Sequence, residues 1–155
     1  VYLQHLFQGM DLTDGAGNLS PLLLLANNLR ACAVTMLYGL IPFVRLPALA
    51  LGVNAVLLGG LAACYAATDT TMLLYAASLL PHGIFELPAL ILAFSMGLYI
   101  CGHLTRRCRR DPAALPLGAC LGLAARLLVS LLLPLLILAA LTEAYVTPLA
   151  AGLFL

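Results

Sequence analysis

The sequence predicts an all-α, polytopic transmembrane helical bundle of about four spans, with one or two short broken or re-entrant helices. Three observations predict it. Hydrophobic residues make up 64% of the 155 residues and charged residues only 8%, with a mean hydropathy of +1.11; soluble chains carry roughly a quarter charged residues. Apolar runs recur at 20–44, 46–67, 71–104 and 113–142, each long enough for a hydrocarbon core of about 30 Å. The strictly alternating segments of a membrane β-barrel do not occur. Third, four of the seven basic residues, all arginine, crowd into one short loop, "TRRCRRD" (Arg106, Arg107, Arg109, Arg110). Such loops set orientation and stay cytoplasmic, so they are read as a topology signal and no nucleic-acid partner is expected.

Residues 1–19 are read as an N-terminal interfacial segment, because they lack the basic start and apolar core of a signal peptide. Residues 20–155 form one transmembrane domain. Ser20 followed by Pro21 marks a helix start, opening span 1 to about Phe43 with Asn27, Asn28 and Arg30 inside it. A corner with Arg45 and Pro47 leads to span 2, which carries Asn54 and ends before Asp69. "MLLYAASLL" is too short to cross alone. Pro81, Gly83 and Pro88 then predict a helix break, after which span 3 runs over about 85–104. Span 4 covers about 113–141 and holds Arg126; "TEAYVTP", with Glu143 and Thr147, follows it.

The signs of the loop charges agree with one orientation. With Arg106–Arg110 cytoplasmic, Arg45 also falls inside, and Asp11, Asp14 and Asp69 fall outside. Asn27 and Arg30 then lie roughly 10–15 Å in from the outer end of span 1. His82, Glu86 and Glu143 fall in the same outer half, with Arg126 near the middle of its span and Asn54 on the inner side.

Charges at membrane depth cost about 2.5–3.5 kcal/mol each and demand partners. The expected pairing is Glu86 and Glu143 with Arg30 and Arg126, a clamp that holds the broken helix, with Tyr145 and Thr147 adding hydrogen bonds. His82 and Glu86 have the i, i+4 spacing of two ligands on one face. Zinc requires at least three converging ligands; Glu143 is the obvious third and the break at Gly83 interrupts the face, so no metal and no other cofactor is expected. The five cysteines show no CxxC spacing and read as small hydrophobes. The small-residue pairs Gly118/Gly122 and Gly59/Ala63 suit close helix packing, within the chain or across a homodimer. "FELPALILAF" and "EAYVTPLAAGLF" each set a Glu shortly before a Pro, as a repeated broken-helix element would.

Four blocks in order, "NNLR" (27–30), "NAVLLG" (54–59), "LPHGIFELPALILAFSMGL" around His82–Pro88, and "LAALTEAYVTP" ending at Pro148, resemble the stage II sporulation protein M family. Asn54–Ala55 stands where the family pattern has Asn-Gly. The resemblance implies a polytopic bacterial cell-membrane protein with no catalytic residues, acting in septal thinning and engulfment. It also implies a scaffold, embedded in membrane lipids, that anchors the cell-wall-degrading proteins D and P of the same stage. Two further functions fit the residues themselves: a transporter or channel for a small ion or amphiphile through the Glu/Arg/His cluster, and an intramembrane metalloenzyme built on His82 and Glu86.

Overall fold

The computed structural model describes residues 20–67, 72–147 and 149; the N-terminal segment, Asp69 and Pro148 lie outside them. Helix α1 (Pro21–Leu37) is capped by Ser20, whose Oγ accepts from the Leu23 N–H at 3.5 Å, with Pro21 in its first turn. A 3-10 turn, Tyr38–Leu40, tightens its end. Helices α2 (Leu46–Ala67), α3 (Met72–Cys108), α4 (Leu117–Leu127) and α5 (Leu133–Leu141) follow. A π turn, Leu128–Leu132, joins α4 to α5, and a second, Thr142–Val146, continues α5. Among the described residues, four segments are long and apolar enough to cross a membrane: Pro21–Leu40, Leu46–Ala67, Leu79–Cys108 and Leu117–Val146. The predicted four-span helical bundle is what forms.

The predicted break is not there. Pro81, Gly83 and Pro88 all lie inside α3, which runs unbroken for 37 residues. A proline removes one intrahelical bond and crowds the carbonyl four residues back. Unwinding in an apolar medium would strip partners from several more backbone groups, so continuing the helix is the cheaper solution. At about 1.5 Å per residue α3 is some 55 Å long, and the stretch before Pro81 is its first turns, not a separate short helix.

Helix α3 is the axis of the bundle and packs against α1, α2, α4 and α5. Its inner stripe carries Ala89, Ala93, Met96 and Ile100, which meet Cys32 and Met36 of α1, Cys120 and Ala124 of α4, and Leu132 and Leu136 from the last span. Helix α2 is peripheral: Pro47 is its only buried residue. An apolar exterior of this kind is what hydrocarbon requires, since lipid tails are as apolar as leucine.

The closest backbone approach is at Gly97. A Cβ there would lie 2.8 Å from both the Thr35 carbonyl oxygen and Pro47 Cγ, and a Cβ at Gly39 would collide with the Gly97 backbone. The expected stripes are elsewhere: nothing lies within 4 Å of a Cβ at Gly59, Gly118 or Gly122. Among the described residues, nothing packs closely on these three glycines.

Connections fix which ends meet. The Phe43 N–H donates to Thr105 Oγ1 at 3.0 Å, the Cys101 thiol to the Ile41 carbonyl at 3.4 Å, and the Leu115 N–H to His103 Nδ1 at 3.2 Å. Phe43 (φ 70°) and Arg45 (φ 51°) adopt left-handed backbone to turn this corner, and the Arg109 guanidinium sits 5.9 Å over the Phe43 ring. Arg45, Arg106 and Arg109 line one pocket of about 390 Å³ at this end. The corner after α1 and the arginine loop therefore share one end of the bundle, as the charge pattern requires.

Candidate functional site

At the opposite end, α3 meets the end of the last span. His82 Nδ1 lies 3.3 Å from Thr147 Oγ1, joining residues 65 apart in sequence. One helical turn further, His82 Nε2 faces Glu86 Oε2 at 3.9 Å. Continuity of α3 through Gly83 keeps this i, i+4 pair on one face, which the predicted break would have separated. Glu143, in the second π turn, completes the group: one ligand atom each from His82, Glu86 and Glu143 lie within 4.8 Å of one another. All three are half-buried.

The expected arginine clamp does not form. Among the described residues, the one basic side chain within 4 Å of either carboxylate is His82, beside Glu86. Arg30 and Arg126 are both exposed. Arg30 stands two residues, about 200° of helical rotation, from the inward-facing Cys32, so it points away from the bundle. Arg126 and Glu143 are on the same span, 17 residues apart, which is about 25 Å along the helix; they cannot meet. Arg126 instead lines a pocket with Tyr99, Gly118 and Gly122 on the arginine-loop side.

The remaining predicted residues separate into two groups. Asn28 falls on the α1 stripe marked by buried Leu24, Cys32 and Met36, while Asn27 is off it; both are half-buried and neither has a side-chain partner among the described residues. Asn54 was expected away from the cluster. It donates to the Ala50 carbonyl at 2.9 Å, yet it shares with Glu86 and Gly83 a cleft of about 320 Å³ between α2 and α3. Antiparallel α2 and α3 bring them to one level. Pro88 is exposed and Tyr145 points outward; Thr147 alone of the two predicted hydroxyls reaches the cluster.

Two carboxylates at such range repel. At 4.8 Å, the outer limit of their separation, and an effective dielectric of about 20, the repulsion is at least about 3.5 kcal/mol if both are ionised. No guanidinium offsets it among the described residues, so the site attracts a positive charge. Three hydroxyls elsewhere in the spans are satisfied locally: Ser95, Ser130 and Thr142 each donate to the carbonyl four residues back, at 2.8, 2.7 and 2.9 Å. The cluster is thus the place where polar side chains from different parts of the chain meet. Sequence reasoning missed Gly39 and Gly97. The run Ala89, Ala93, Gly97, with small residues every fourth position, was the available signal.

Four apolar spans with a half-buried polar cluster between them define a multi-pass helical membrane protein. The sequence matches the Stage II sporulation protein M family over residues 7–148, most of its length, and the chain belongs to that family, a family of sporulation membrane proteins. Comparison with curated proteins and with solved structures gives no match.

Proposed function

We propose that the chain is a non-catalytic scaffold that anchors and organises cell-wall hydrolases at the membrane during engulfment. The observation that carries this reading is where the polar side chains go. His82, Glu86, Glu143 and Thr147 meet at a seam between α3 and the end of the last span, fixing two segments that are remote in sequence. Family membership supports a sporulation role, and the hydrolases it suggests are the stage II sporulation proteins D and P. The common location of Arg45 and the arginine loop supports a cytoplasmic assignment for that end. The His/Glu end then faces the wall, where such partners act. The open stripes at Gly59/Ala63 and Gly118/Gly122 suit a homodimer.

Co-purification tests this directly. The full-length chain, solubilised from membranes that contain proteins D and P, is expected to retain both, and His82→Ala to release them. Retention of neither by the unaltered chain removes the scaffold reading.

One observation favours a second reading. Glu86 and Asn54 line a cleft between α2 and α3, so passage of a small ion along that face is testable by flux into proteoliposomes. Flux that disappears in Glu86→Ala supports it, and no flux under any imposed gradient rules it out.

A further inference from the structure

The hydrogen-bond chain behind His82 assigns the state of its ring. Thr147 Oγ1 has a single proton, and its distance of 3.2 Å from the Thr142 carbonyl assigns that proton to the carbonyl. Its oxygen is therefore the acceptor for His82 Nδ1 at 3.3 Å, which assigns the N–H to Nδ1. The Nε2 lone pair is left facing Glu86 Oε2 at 3.9 Å, with Glu143 beside them. Three electron-pair donors from two segments thus face one another. A histidine whose far nitrogen is held by a protein hydrogen bond, with its near nitrogen free, is the arrangement by which proteins orient a metal ligand.

We propose that His82 Nε2, Glu86 and Glu143 bind one divalent transition-metal ion, with zinc the best fit, and that Thr147 is the positioning residue for His82. The donor set decides the class. An imidazole nitrogen with two carboxylates suits zinc and its neighbours, whereas magnesium and calcium take oxygen shells. Two carboxylates balance a 2+ charge, which makes the occupied site neutral inside an apolar bundle. Geometry agrees: zinc bonds of about 2.0–2.1 Å put tetrahedral ligand atoms about 3.3 Å apart. The atoms here lie within 4.8 Å of one another. Rotation of the two glutamate side chains closes a gap of that size without moving a helix. Three protein ligands leave a fourth position for water.

The proposal does not depend on the scaffold reading, and its test uses the isolated chain. Tag-free full-length protein, purified in detergent without chelator and dialysed against zinc or cobalt(II), is expected to hold about one ion per chain, with cobalt giving the intense visible bands of a four-coordinate site. His82→Ala and Glu143→Gln are expected to lose that ion. Thr147→Val, which touches no metal, is expected to weaken binding about 10–100-fold while leaving the cobalt spectrum four-coordinate. Zinc should also raise the unfolding midpoint of the unaltered chain, so a variant that fails to fold leaves the question decidable. Sub-stoichiometric metal together with a zinc-insensitive midpoint in the unaltered chain overturns the proposal, as does full binding by Glu143→Gln.

Discussion

Adding one methyl group at Gly97 tests whether the bundle packs as described. The new Cβ would sit 2.8 Å from the Thr35 carbonyl oxygen, 2.8 Å from Pro47 Cγ and 3.1 Å from Pro47 Cβ. Favourable carbon contacts begin at about 3.5 Å, so the helix must give way by about 0.7 Å toward two neighbours at once. Neither yields cheaply. The first is backbone, and α1 is further confined because Gly39 rests on the Gly97 backbone. Overpacking of this kind costs about 1–3 kcal/mol. Gly97→Ala should therefore lower the unfolding midpoint in detergent, with Gly39→Ala behaving likewise. Gly52→Ala is the control: nothing lies within 4 Å of its added methyl, and replacing a helical glycine gains up to about 1 kcal/mol. Unfolding is read by modification of the buried thiols Cys32, Cys101 and Cys120. The same midpoint for Gly97→Ala and the unaltered chain, with a loss in Gly52→Ala, would refute the packing argument.

Other consequences are open to measurement. A double-mutant cycle on His82→Ala and Thr147→Val in chelator-treated protein should give a coupling of about 0.6–1.7 kcal/mol, and a value of zero would remove the bond that joins α3 to the last span. Arg30→Ala and Arg126→Ala should each change stability by no more than about 0.5 kcal/mol, since both side chains are exposed; a loss of about 3–5 kcal/mol in either would restore the discarded clamp. Exposed Cys108 borders the arginine loop. A membrane-impermeant maleimide should modify it in inside-out vesicles and spare it in intact cells, and the reverse pattern would invert the orientation.

The spans were legible because hydrophobic content alone decides what lipid accepts. Their antiparallel order was legible too, because Arg45 and Arg106–Arg110 had to share an end. What the sequence hid is rotational and axial phase. Arg30 reads as a buried partner until its position is referred to Cys32, and only packing shows which side of α1 is inward. Arg126 and Glu143 read as neighbours in depth until their separation along one helix is counted. Pro81, Gly83 and Pro88 signal a break in water, but lipid reverses that balance. His82 and Glu86 were visible as a pair for the same reason they matter, their i, i+4 spacing. Glu143 could be ranked with them only after α3 proved continuous.

The two halves of the Glu–Pro echo turn out to be physically different, and the difference explains the cluster. Glu86 and Pro88 sit within uninterrupted α-helix. In the last span, by contrast, each π turn ends in a residue that directly precedes a proline. Leu133 donates five residues back to Leu128, just before Pro134, and Thr147 donates five back to Thr142, just before Pro148. At Pro134 the ring crowds the carbonyl four residues earlier and offers no N–H of its own, and the widened turn before it relieves that crowding with the bond pattern of a π bulge. In the second case the Thr142 carbonyl receives both the backbone N–H and the hydroxyl proton of Thr147. The Thr147 oxygen is thereby left as an acceptor facing His82.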